Sequence, residues 1–171
     1  ETSVQQELGI IDSKDLFYED TMKGGHYLND PVLVRSFVDN GPQTIDWLKA
    51  LGADLSDVGI MGGSSVRRTH RPNGGTAIGP HLMKVLKEAS ASEKVEIRTG
   101  NKVTGLLMHG VGVCGVKVEN HNGSPYQISA SAVIIATGGF GANIGMVTKY
   151  CPEFEGLATL NHKGATGDAF K

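Results

Sequence analysis

The chain has 171 residues, with 16 Lys and Arg against 18 Asp and Glu and a net charge of −2. Its length allows one domain or a lobe of a larger protein. The charge balance offers nothing to nucleic acid, and the longest apolar run falls far short of the ~20 residues that cross a bilayer.

In chain order, "SKDLFYEDTMKGGHY" predicts a helix capped by Ser13, with Leu16, Phe17, Thr21 and Met22 roughly on one face and Gly24-Gly25 as its end. "NDPVLVRSFVDN" predicts a second, with Asn29 or Asp30 as cap, Pro31 in its first turn and Leu33, Val34, Phe37 and Val38 as its apolar stripe. Pro42 is expected to break it. A further helix should carry Ile45, Leu48 and Leu51 on one face, with Trp47 in the core and Gly52 as terminator. "MGGSSVRRTHRPNGG" has no period and reads as a long polar, basic loop. "TAIGPHLMKVLKEAS" returns to helical spacing through Leu82, Val85, Leu86 and Ala89.

Strands follow. "KVEIRT" alternates. "KVTGLLMH" and "VGVCGVKVEN" are joined at His109-Gly110 as a hairpin, and "SPYQIS" adds a third strand to an antiparallel meander. "SAVIIATGG" is apolar throughout and is expected to be a parallel strand covered on both faces. The fold class is α/β, with a small meander inserted between parallel strands.

Three features suggest chemistry. Glycine accounts for 24 residues, several of them in pairs such as Gly74-Gly75 and Gly138-Gly139, which suit tight turns and close backbone approach. In "ATGGFGANI" the spacing Gly139-x-Gly141 is present, but Ile144 fills the third slot of a dinucleotide fingerprint and the acidic residue about 20 positions on is missing. This is a cofactor contact or a plain turn. In "GATGDAF", Asp168 can accept hydrogen bonds from sugar hydroxyls or cap a helix. Arg67, Arg68, His70 and Arg71 crowd one loop, which suits an anionic ligand or a solvated surface. Asn122-Gly-Ser124 fits a glycosylation pattern but is better explained as a turn. Cys114 and Cys151 are far apart, with no metal-ligand or disulfide spacing, and no two of the 6 histidines recur at zinc-binding spacing. No Ser-His-Asp or Cys-His arrangement can be argued.

Taken together, "KVTGLLMHGVGVCGVKVENHNGSPYQISASAVIIATGGFGAN" and the later "ATGD" resemble the FAD-binding part of the fumarate reductase/succinate dehydrogenase flavoprotein family. "EDTMKGGHYLND", "TIDWLKALGADL" and "RRTHRPNGGTAIGPHLMKVL" resemble its soluble flavocytochrome c type. The resemblance runs from about Asp12 to Asp168. It implies that residues 1–171 are part of an FAD-binding, Rossmann-like domain with an inserted antiparallel β-meander. Val103 would contact FAD through its backbone, Ala136, Thr137, Gly138 and Gly139 would border the cofactor, and Asp168 would bind it. The loop from Thr69 to Gly75 would lie near the flavin side.

The reaction implied is reduction of fumarate, a small dicarboxylate, to succinate: hydride passes from N5 of reduced FAD, and an Arg of a capping domain delivers the proton. None of the family's catalytic residues falls on this chain, and "GDA" stands where "GDG" is usual. The chain starts at Glu1 and ends at "GDAFK". It is therefore expected to be a piece lacking the G-x-G-x-x-G strand and the capping domain, inactive and colourless alone. Alternatives are a non-catalytic lobe or binding module, an aspartate oxidase, or a ketosteroid dehydrogenase. The electron donor and the compartment are not legible.

Overall fold

Thr2 and Gln5 start the first helix with a reciprocal cap. Thr2 Oγ1 accepts the Gln5 N–H at 3.1 Å, and Gln5 Oε1 accepts the Thr2 N–H at 2.9 Å. The computed structural model describes residues 1–170, and the chain divides into two units, Glu1–Ile97 and Arg98–Lys171.

In the first unit, α1 (Ser3–Glu7) is followed by α2 (Lys14–Gly24), whose cap Ser13 accepts the Leu16 N–H as predicted. α3 (Pro31–Ala50) is capped by Asp30, which accepts the N–H groups of Val32 and Leu33. The break expected at Pro42 does not occur, and α3 runs through it for 20 residues. Proline removes one ladder bond to the carbonyl four residues back. Around it, Lys14 Nζ donates to the Asp39 carbonyl at 2.8 Å and Thr44 Oγ1 to the Asn40 carbonyl at 2.9 Å. Packing holds both halves: Val34 and Val38 are buried with Met22, while Ile45, Leu48 and Leu51 pack on Ala53, Leu55 and Val85. Tertiary contact here outweighs local propensity. The predicted stripe is only half right, because Leu33 and Phe37 are exposed; Trp47, expected in the core, is exposed as well.

Part of the polar loop pairs with the segment before it as an antiparallel ribbon, β1 (Asp57–Gly59) with β2 (Thr69–Arg71), Val58 lying opposite His70. α4 (Ile78–Ser92) buries Val85, one of the residues its periodicity selected. A buried ion triad ties the β1–β2 loop to α2. Arg68 Nη2 and Nε donate to the two oxygens of Asp12 at 2.8 and 3.0 Å, and Nη1 donates to Asp20. The Arg68 side chain is 7% exposed and its partners 6% and 12%.

Burial pushes the Asp20 carboxyl up, but the Ser65 hydroxyl, the Ser65 N–H and Arg68 outweigh it and hold it at about 2, below the ordinary 3.8. Asp12 is likewise held low: burial raises it, and hydrogen bonds from Arg68, Gln5 and the Ser13 N–H overcome that. A carboxyl depressed by folding stabilises the fold above its unfolded pKa and stops doing so as pH falls through its folded value. Stability should therefore drop as pH falls from 3.8 towards about 2. Denaturant melts across that window check this, and Asp20→Asn should flatten the slope.

Residues 94–99 span the boundary into the second unit and form no strand, contrary to the alternation of "KVEIRT". The meander is present: β3 (Asn101–His109), β4 (Gly112–Asn120) and β5 (Pro125–Ser129) lie in the order β3-β4-β5, all antiparallel. The tight turn is Gly110-Val111, one residue later than expected, and Gly110 takes φ +58° there. Gly115 has φ +152°, and a Cβ on it would strike the Ile128 carbonyl, so β4 and β5 can approach only with glycine at this point.

The expectation for "SAVIIATGG" fails: residues 132–140 belong to no strand, and Ile134 is 91% exposed. A parallel strand exists only through ladder neighbours, and among the described residues none pairs with it. The last helix, α5 (Ile144–Tyr150), follows the glycine turn.

Candidate functional site

The turn after the apolar run is shaped by Gly138, which takes φ +72°. A Cβ on Gly138 or Gly139 would meet nothing within 4 Å, so a bare face of backbone looks outward. Ala136, Thr137, Gly138 and Gly139 are all exposed. Beyond them, Asn143 caps α5 by accepting the Met146 N–H at 3.1 Å.

The "ATGD" segment docks directly on this turn. The Gly167 N–H donates to the Gly139 carbonyl at 3.1 Å, the Ala142 N–H to the Ala165 carbonyl at 2.9 Å, and Asn143 Nδ2 to the Thr166 carbonyl at 3.1 Å. Gly167 is buried with φ +76°, and a Cβ there would lie 2.7 Å from Phe140 Cβ and 2.8 Å from Met146 Sδ. Only glycine permits both the backbone angle and the approach. Phe140 stacks edge-on against Phe170 and packs on Tyr150, with ring centroids 5.5 and 5.6 Å away. Asp168 therefore emerges beside the glycine turn. It opens a short 3-10 turn (Asp168–Phe170), is exposed, and accepts the Thr166 hydroxyl at 3.1 Å.

Of the predicted site residues, then, Ala136 to Gly139 and Asp168 share one surface. Val103 is exposed on β3 opposite Val118, next to a register shift, and takes no part in the bonds joining the two motifs. The residues that do the joining, Phe140, Asn143 and Gly167, lie inside the two quoted motifs, but the sequence does not pair them. Asn143 could have been found as a helix cap, whereas the contact of Gly167 with Phe140 spans too many residues for any local signal.

The basic loop lies in the first unit and is not an open anion receptor. Arg68 is committed to Asp12 and Asp20. His70 Nδ1 lies 3.0 Å from the Arg68 carbonyl and Nε2 lies 2.9 Å from Thr2 Oγ1. A carbonyl only accepts, so Nδ1 carries the proton and Nε2 accepts from the Thr2 hydroxyl. Burial pushes the His70 pKa down, in keeping with this neutral ring. Arg71 Nε is buried without a partner, and Arg67 is exposed. A half-open cavity of about 520 Å³ lies within this unit, lined by Thr2, Gln5, Phe17, Phe37, Arg68 and His70 among others. Among the described residues, no His, Cys, Asp or Glu cluster could hold a metal ion, and no helix is long and apolar enough to cross a membrane.

The family model of the FAD binding domain matches residues 2–171. The chain belongs to the FAD binding domain family. Two curated relatives of this FAD-binding protein are the NADH:fumarate oxidoreductase of Klebsiella pneumoniae (strain 342), 44% identical over 98% of this chain and 18% of that protein, and the fumarate reductase (cytochrome) of Shewanella frigidimarina, 41% identical over 98% and 29%. The solved open conformation of a flavocytochrome c3 fumarate reductase superposes with a TM-score of 0.92 at 35% identity, over 99% of this chain and 30% of that one. The chain thus spans less than a third of the length of these relatives. The cofactor of its family is FAD, and its exposed surface suits one: the open space over Gly138 and Gly139 admits a flat ligand against the backbone, and the Asp168 carboxylate offers acceptors to hydroxyl or N–H groups.

Proposed function

We propose that this FAD-binding domain forms one wall of the cofactor site in a flavoprotein that reduces fumarate to succinate. In this reading the backbone of Ala136, Thr137, Gly138 and Gly139 lies against FAD, Asp168 accepts hydrogen bonds from its hydroxyl groups, and Val103 adds a backbone contact. The observation that carries the reading is the docking of "ATGD" onto the glycine turn through Gly167, which brings the carboxylate to the edge of the bare backbone face. Identities of 44% and 41% to two fumarate reductases support fumarate as the substrate.

Reduced FAD supplies the hydride when bound. The role of the residues named above is to bind and orient that group, not to deliver the proton. The names of the two relatives carry different donors, NADH and cytochrome, and the residues of this domain do not select between them.

The test uses the full-length protein with its flavin reduced under anaerobic conditions. Adding fumarate should return the oxidised flavin spectrum. Failure of fumarate to reoxidise it, together with bleaching of the oxidised enzyme by L-aspartate or a 3-ketosteroid, would overturn the reading in favour of an oxidase or a steroid dehydrogenase.

A further inference from the structure

The sequence contains three Asn-Gly pairs: Asn40-Gly41, Asn73-Gly74 and Asn122-Gly123. Such pairs undergo a spontaneous reaction. The glycine N–H loses its proton to base, and the nitrogen attacks the carboxamide carbon of asparagine. A new C–N bond closes a succinimide as the carboxamide's own C–N bond breaks, with ammonia as the leaving group. Water then opens the ring to aspartate or isoaspartate. No electrons are gained or lost, and the only co-reactant is water. The rate depends on whether the glycine nitrogen is free and whether the local backbone can bend.

The three sites differ on both counts. Asn40 and Gly41 lie inside α3, where the glycine N–H belongs to the helical ladder and Asn40 Nδ2 donates to the Ser36 carbonyl at 2.7 Å. At Asn122 the Gly123 N–H donates to the Asn120 carbonyl at 2.9 Å, while Asn120 Oδ1 accepts the N–H groups of Asn122 and Ser124, both at 2.9 Å. That turn is locked, and its attacking nitrogen is occupied. At Asn73 the neighbouring bonds are made by other atoms: the Asn73 N–H donates to Asp54 Oδ2 at 2.9 Å and the Gly75 N–H to the Pro72 carbonyl at 3.0 Å. The Gly74 N–H has no acceptor among the described residues. Asn73 and Gly74 are exposed, and a Cβ on Gly74 would meet nothing within 4 Å, so the loop has room to bend.

We propose that Asn73-Gly74 is a self-modification site, the one of the three pairs that deamidates in the folded protein. The product places a new negative charge on a loop already held by the Asp54 carboxylate, which hydrogen bonds from Ser56 Oγ, the Asn73 N–H and the Ser56 N–H keep ionised. Modification therefore sets like charges against each other and loosens the 72–75 turn.

The test is a peptide map of the folded full-length protein held at mildly alkaline pH, scored by the mass gain of amide-to-acid conversion. Tryptic cleavage after Arg68 and Lys84, and after Lys117 and Lys149, puts Asn73 and Asn122 in separate peptides. Asn73 should convert at least about fivefold faster than Asn40 or Asn122, the order expected when the competing sites must first break a hydrogen bond. Urea should bring the three rates together, and Asn73→Thr should remove the fast component. Equal rates in the folded protein, or faster conversion at Asn122, would overturn the proposal.

Discussion

Arg68→Ala is expected to destabilise the Glu1–Ile97 unit by about 3 kcal/mol, the range for leaving buried charges without their partner. Two carboxylates lose their main cation: Asp12 its two-pronged contact and Asp20 its single one. Both side chains are almost fully shielded from water, so solvent cannot replace the lost cation. The guanidinium also lies over the Phe17 ring, 4.7 Å from its centroid, and that contact goes too.

Arg68→Lys keeps the charge but cannot bridge two carboxylates with a planar fork, and should recover only part of the loss. Replacing Arg68, Asp12 and Asp20 together with apolar residues of similar volume should recover more than any single substitution, because no unpaired charge is left behind. The measurement is the denaturant midpoint at neutral pH. A loss within the ~1 kcal/mol typical of surface ion pairs would contradict the structural role given to the triad.

This triad marks where the sequence stops being readable. "RRTHRP" is visibly basic, and its composition suits an anionic ligand. What composition cannot reveal is that the partners of Arg68 are Asp12 and Asp20, more than forty positions earlier and brought close only by folding. Local signals are reliable where structure is local. Ser13, Asp30 and Pro31 start their helices as caps and first-turn residues, and strand alternation marks the three-stranded meander. The Thr2/Gln5 cap is equally local and is easily overlooked because α1 is only 5 residues long.

Pro42 misleads because a single missing N–H is outweighed by packing on both sides of it. The apolar run ending at Ala136 misleads in the opposite way. Its composition is right for a buried parallel strand, but pairing belongs to the neighbours and not to the strand itself. The glycine turn and Asp168 are both legible as motifs; their union through Gly167, Asn143 and Phe140 is not.

The proposed role of that union makes Asp168 the residue to change. Asp168→Ala removes an ionised acceptor, and a hydrogen bond to a charged group contributes about 1.5–3 kcal/mol. FAD affinity should fall by roughly 10- to 100-fold. Asp168→Asn preserves the shape and one acceptor oxygen, so it should fall between the two. Asp168 is exposed, and changes at such positions usually move stability by no more than about 0.5 kcal/mol, so a cofactor effect can be separated from unfolding. The decisive measurement is the FAD-to-protein ratio, with the dissociation constant, of full-length protein carrying Asp168→Ala, whose flavin-stripped apoprotein should melt at the same midpoint as that of the unsubstituted protein. A protein that folds normally but loses most of its FAD is the expected result; full FAD retention with unaltered affinity would contradict the assignment of this surface to the cofactor.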